Sequence, residues 1–225
     1  LVVAITFFVF CVVQLLCGVA KALDDITWYA TEDATIRIEG EEPYGESYGY
    51  GYDEKIRCGT LTSYSNKYRG LFFYDFQGEL DEYYEVLEAK WYFRAAQTGW
   101  SGNDKYMLYR ITEPWSEDDV EWDTCPTYDP TVLLEHTHYE SPDDDTIYFP
   151  DEVLPLLSDI AHGEEIYYYG FIWIRENEDT YTNQYMEIWS SDSDNPNLET
   201  SFTIRYEYYE DTQPTSIGHI KALFK

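Results

Sequence analysis

Between Ala89 and Ala95 the chain alternates without a slip. Ala89, Trp91, Phe93 and Ala95 fall on one side, and Lys90, Tyr92 and Arg94 on the other. A period of two sends successive side chains to opposite faces of an extended strand, so this segment has one buried face and one wet face. Such a strand needs a sheet around it and a second layer over its apolar side. The 24 Tyr, 11 Phe and 7 Trp among 225 residues extend that demand along the chain, because aromatic side chains fit a pleated, half-buried surface.

Further strands are expected at Trp28–Ile38, Ile56–Leu61, Gly70–Phe76, Tyr106–Ile111, Thr131–Tyr139, Ile166–Arg175, Gln184–Ser190 and Phe202–Tyr209. Gly70–Phe76 is nearly continuous in apolar residues and suits a central position. Asp151–Ala161 reads as a helix with Val153, Leu154, Leu157 and Ile160 on one side and Gly163 as its stop. The Tyr-Gly segment Glu41–Asp53, the turn Thr98–Asn103 and the acidic run Ser141–Asp145 read as loops. Short strands at this spacing with one short helix predict an all-β fold, an antiparallel β-sandwich of jelly-roll type. No internal repeat or second domain is visible.

The chain is organised around Ile111–Pro126. Pro114 cannot donate to a ladder and ends the strand before it. Ser116, with Asp119 three residues on, resembles the start of a short helical turn, and Glu117-Asp118-Asp119 suit its positive end. Val120 and Trp122, alternating with Glu121, read as a half-buried edge strand. Trp115 and Trp122 offer a large apolar area to a core or a flat face to a sugar. Packing is favoured, in a loop folded over the sandwich.

Pro114-Trp115-Ser116-Glu117, then Val120-Glu121-Trp122, then Pro126, resemble the signature of DNRLRE-type domains. Ser65–Phe76 is similar to the segment that names that family. Asn66, Arg69 and the apolar run match, while Tyr68 and Gly70 stand where the family has Leu and Glu. Similarity runs from Ala30–Thr35 to Asn195-Pro196-Asn197 and includes Tyr168-Tyr169-Gly170. The family is classed among carbohydrate-binding modules and includes disaggregatase-related repeats. The resemblance therefore implies a non-catalytic module that binds a polysaccharide or surface glycan.

Residues 1–22 are apolar apart from a few side chains, and Ala20-Lys21-Ala22 has the small-x-small form of a signal-peptidase site. A cleaved secretory signal is expected there, with no membrane attachment after cleavage, in preference to a retained anchor. Residues 23–209 then form the sandwich, and 210–225 a tail or linker. The expected location is secreted, extracellular or at the cell surface.

Net charge is −30, and Lys21 is the only charged residue among the first 22, so the cleaved chain carries −31. That balance argues against nucleic acid and anionic lipid as partners. Of the 4 cysteines, Cys11 and Cys17 lie in the leader. Cys58 and Cys125 remain. In an exported protein they either form a disulfide or stay as two thiols, and pairing is the expectation taken to the structure.

The sequence carries no GxSxG elbow, P-loop, HExxH or dinucleotide fingerprint, so no enzyme activity is expected. His136-Thr137-His138 places two imidazoles on one strand face but offers no third metal ligand. Glu117-Asp118-Asp119, Asp143-Asp144-Asp145 and Asp192-Ser193-Asp194 are oxygen-rich enough for calcium, yet none matches an EF-hand spacing, and a solvated acidic loop is the favoured reading of each. No cofactor is expected, with calcium left open. Sugar recognition needs flat aromatic faces free of core duty. Tyr48, Tyr50, Tyr52 and Trp100, on Gly-rich turns, are the candidates; Trp91, Phe93, Trp115, Trp122 and Phe202 are assigned to packing. The alternatives are a structural or adhesive surface protein without a sugar ligand, and an accessory part of a polysaccharide-degrading enzyme.

Overall fold

A computed structural model of the chain describes residues 23–40, 46–62, 65–98, 104–138, 144–180, 184–195 and 199–208. Twelve antiparallel strands lie among them. They are β1 (Leu23–Tyr29), β2 (Glu32–Glu39), β3 (Glu46–Tyr50), β4 (Lys55–Leu61), β5 (Asn66–Phe73) and β6 (Tyr84–Thr98). β7 (Asp104–Arg110), β8 (Leu134–His138), β9 (Asp144–Tyr148), β10 (Phe171–Arg175), β11 (Gln184–Trp189) and β12 (Ser201–Tyr208) follow. A 3-10 turn spans Trp122–Thr124, and helix α1 spans Leu154–Ala161.

One layer runs β1–β12–β6–β9. The other runs β3–β2–β5–β10–β7–β8. β4 pairs with β5 and β11, and β11 pairs with β6, so the layers join along one side into a single curled sheet. The fold is the expected all-β, sandwich-like one. β5 sits centrally, bonded to β2, β4 and β10.

The alternation in β6 does what its period requires. Ala89, Trp91, Phe93 and Ala95 are buried, while Lys90, Tyr92 and Arg94 are half-buried on the outer face. Trp91 packs against Phe72, Phe93 and Trp173 in the core between the layers. β10 has no wet face. Phe171 and Trp173 enter that core, and Ile172 and Ile174 enter a second one on the opposite side of the sheet.

The second core is roofed by the Ile111–Pro126 segment. Ile111, Val120 and Trp122 are buried against Ala34, Ile36, Ile38 and Leu71, with Trp115 packed beside them. The Trp115 indole N–H donates to the Tyr169 carbonyl at 2.7 Å. Arg69 stands under the roof, its guanidinium 4.3 Å from the centre of the Trp122 ring and paired with Glu178 at 2.7 Å. Packing is thus the role of both tryptophans. The Ser116 carbonyl accepts from the Asp119 and Val120 N–H groups, as a helical turn requires. No edge strand follows: Trp122 opens the 3-10 turn instead.

Several boundaries differ from the sequence pattern. Trp28–Ile38 is not one strand. The chain leaves the first layer at Ala30, whose N–H bonds Thr200, and enters the second at Thr31, whose N–H bonds Phe73. Asp144 and Asp145 are not loop but the start of β9, held by its ladder to β6. Ile166 and Tyr167 are exposed and precede β10 rather than open it. α1 starts three residues later than the sequence placed it, with Pro155 in its first turn, where a missing N–H costs nothing. Gly163, at φ 76°, ends it as expected.

Cys58 and Cys125 are free thiols, which corrects the expected disulfide. They belong to different cores. Cys58 faces the one between the layers, its Sγ 3.1 Å from the Trp173 carbonyl, and Cys125 packs against the second. The sheet lies between them. The expected signal segment, residues 1–22, and the tail from 210 onward lie outside the described residues. Among the described residues no helix is long and apolar enough to cross a membrane.

Candidate functional site

From Tyr48 to Tyr52 the sequence alternates between tyrosine and glycine, with Ser47 before it. It is not the irregular loop its glycines suggested: Glu46–Tyr50 is strand β3, bonded along β2 from Thr35 to Glu39. The glycines mark close approach. A Cβ on Gly49 would stand 1.8 Å from the Val120 carbonyl oxygen, and one on Gly51 2.2 Å from that of Glu117. Only a bare backbone lets the 116–121 turn lie against this strand. Ser47 joins the contact, its hydroxyl accepting from the Asp123 N–H at 2.9 Å.

The tyrosines in between face the other way. Tyr48 and Tyr50 stack with centroids 6.3 Å apart and planes 24° apart. Arg37, opposite Tyr48 in the ladder, lies 4.2 Å from the Tyr48 ring centre and 5.3 Å from that of Tyr50. This is cation–π geometry, and it fixes both rings. The Tyr48 hydroxyl donates to Glu46, which raises its pKa, and burial raises that of Tyr50. Arg57 repeats the arrangement nearby, 5.0 Å from the Tyr68 ring centre and 5.6 Å from that of Tyr185.

On the glycine side a cleft of about 280 Å³ opens between β3 and the acidic turn. It is lined by Gly49–Asp53 on one wall and Glu117, Asp118, Val120 and Glu121 on the other. Tyr52 stands at it, 67% exposed. Of the four predicted ligand-binding residues, the structure brings Tyr48, Tyr50 and Tyr52 to this one edge. Trp100 lies outside the described residues.

Asp33, which sequence reasoning did not single out, is tied to this edge. It is fully buried, and its N–H points to Glu117 Oε2 at 3.4 Å. Its Oδ2 accepts from the Ser191 N–H at 2.7 Å, and its Oδ1 has no hydrogen-bond partner. Burial pushes its carboxyl up to about 7, and the carboxylates of Asp192 and Glu117 add to the rise. Ser190 closes the circuit by donating its hydroxyl to the Asp53 carbonyl at 2.6 Å. The turns carrying Asp53, Glu117 and Ser191 are thus linked around one buried acid. Residue type alone does not tell which of 44 acidic residues is buried.

The metal candidates fare differently. His136 is held as a packing residue, 5.8 Å from the Phe93 ring centre and 6.4 Å from that of Trp173, with Asp145 at 3.0 Å. Glu117 and Asp118 line the cleft, and Asp192 lies near Asp33. Among the described residues no three His, Cys, Asp or Glu side chains are gathered so as to hold a metal ion. Comparison with models of known protein families returns no match, and neither does comparison with curated proteins.

Proposed function

We propose that the protein is a non-catalytic carbohydrate-binding β-sandwich, exported to the cell surface or extracellular matrix, with its ligand surface at β3. The observation that carries the reading is edge strand β3, which presents the Arg37-held pair Tyr48 and Tyr50 on one face and leads into the exposed Tyr52 at the cleft on the other. Flat rings take the C–H face of a sugar, while carboxylates and phenol hydroxyls serve its hydroxyl groups. Rings held by a rigid strand give up little conformational freedom on binding. Motif similarity to DNRLRE-type domains and the signal-like leader support the same reading. A glycan array run with and without calcium tests it. Tyr50→Ala and Tyr52→Ala are expected to weaken the signals of the parent, and so is Trp100→Ala. Variants that bind every glycan as the parent does would move the site elsewhere.

A second reading, a structural or adhesive protein, is favoured by another cluster. Tyr84 lies 4.9 Å from Tyr206 and 5.6 Å from Tyr208, and Tyr83 lies 6.3 Å from Tyr208. Tyr83 and Tyr208 are exposed. Sedimentation of the parent against Tyr83→Ser/Tyr208→Ser, with no change in glycan signals, would separate self-association from sugar binding.

A further inference from the structure

Among the described residues four strands end the two layers, β1 and β9 in one, β3 and β8 in the other. β8 and β9 are joined across the sandwich by His136 and Asp145, 3.0 Å apart. β3 has five residues and carries the acidic turn on one face and the arginine-held tyrosines on the other. β1 is the longest of the four, at seven residues. It has no proline, lysine or bulge of the kind that blunts an edge.

The Ala30 N–H donates to the Thr200 carbonyl at 3.4 Å, beside the rung that pairs Tyr29 with Ser201. Antiparallel rungs alternate between bonded and non-bonded pairs. Trp28, Ile26 and Asp24 therefore bond β12, while Tyr29, Thr27, Asp25 and Leu23 turn their N–H and C=O groups to the open edge. The Thr27 and Thr203 hydroxyls, 2.9 Å apart, agree, since side chains stand closer in a non-bonded pair. No described strand takes up those groups.

The order of residues in β1 suits a second β1 running the other way. A twofold axis at Ile26 sets Leu23 opposite Tyr29 and Asp25 opposite Thr27, and these are the residues with open groups. Leu23 and Tyr29 are 58% and 54% exposed, so their contact covers apolar area that one copy leaves in water. Asp24 falls opposite Trp28, so no two acids face each other. Asp25 is already held by Arg205 at 2.8 Å. Moving the axis to Asp25 sets that acid against itself, and moving it to Thr27 leaves Leu23 unmatched.

We propose that β1 pairs antiparallel with β1 of a second copy, in the register centred on Ile26, and joins the β1–β12–β6–β9 layers of both copies into one continuous sheet. The pairing does not depend on the glycan reading, whose strand β3 lies in the other layer. One strand from each copy makes a small interface, so the dimer is weak and reversible. Two copies of net charge −30 repel each other, so the pairing tightens as salt screens them. Association driven by opposite charges would weaken instead.

Sedimentation of the parent over a range of concentrations, in about 0.05 M and about 0.5 M salt, tests this. A monomer–dimer equilibrium is expected, with more dimer at the higher salt. There, where a change in net charge alone counts for little, Tyr29→Glu should weaken the dimer by about ten-fold or more. Leu23→Lys/Tyr29→Glu should restore most of it, because the two new charges face each other across the axis. Thr27→Pro replaces an outward N–H by a ring and should abolish the dimer while the monomer keeps a cooperative melt. If that variant does not fold, the charge pair decides alone. A parent that stays monomeric at both salts would overturn the proposal. So would a dimer that Tyr29→Glu leaves intact, as association through the apolar first 22 residues would be. No gain on adding Leu23→Lys, or loss of the dimer in Tyr83→Ser/Tyr208→Ser, would overturn it as well.

Discussion

The indole N–H of Trp91 donates to the hydroxyl oxygen of Tyr74 at 2.7 Å, and that hydroxyl donates in turn to Thr200 at 2.8 Å. All three residues are buried, so one of the two fully buried tryptophans between the layers is held by a polar chain as well as by packing. Trp91→Ala should cost roughly 3–5 kcal/mol, as deletion of a large core side chain does. Tyr74→Phe keeps the ring and leaves the indole N–H without an acceptor, for a cost of about 1–3 kcal/mol. Urea denaturation of the two variants against the parent measures both.

Asp33 gives the protein a stability that depends on pH around neutrality. Its carboxyl is raised from 3.8 to about 7 in the folded state. The folded chain therefore holds this proton over a range in which the unfolded chain has released it. The stabilisation is fully present below about 4 and is lost as pH rises through 7, a difference on the order of 4 kcal/mol. Asp33→Asn retains an acceptor for the Ser191 N–H and removes the titration. Melts from pH 4 to pH 9 should show a downward slope in the parent and a flatter profile in the variant.

The two cysteines should differ in reactivity and stay unlinked. Burial raises the Cys58 thiol well above its usual range, and Cys125 is raised less. Native protein treated with iodoacetamide is expected to label slowly at Cys125 and not at Cys58, which reacts after unfolding. Mass analysis under oxidising conditions should find no Cys58–Cys125 bond. Finding one would mean that the sheet between the two cores is breached.

Gly49→Ala should separate the acidic turn from β3. The new Cβ meets a backbone oxygen rather than a flexible side chain, so either the strand or the turn must move. The expected result is a lower melting temperature together with loss of the glycan binding proposed for this edge. A Gly78→Ala control tests strain without that clash, since its positive φ of 74° is unfavourable but its nearest neighbour is 4.0 Å away.

How far the fold could be read depended on which physical cause set each element. β6 declared itself because its burial is one-sided, and period two has no other explanation. β3 was missed because glycine marks both a turn and a strand pressed against another backbone, and composition does not distinguish them. β9 was missed because Asp144 and Asp145 look like a loop. Its ladder bonds come from β6, which the local sequence does not reveal. At the candidate site the tyrosines were legible as spare aromatics. Arg37 reaches them only through the β2–β3 register, and Asp33 reaches Glu117 across 84 positions.

Leu23, at the start of β1, lies opposite Glu207 near the end of β12, and Tyr29 lies opposite Ser201. The chain therefore enters and leaves this layer at the same end, on neighbouring strands. Tension applied at those two points acts across the ladder instead of along it. The rungs would open singly, from Leu23 toward Tyr29, and a sequence of single breaks needs far less force than shearing all rungs at once. Strands paired in this way yield early when they are pulled apart at Leu23 and Glu207, while the same ladder pulled along its length would resist with all its rungs together.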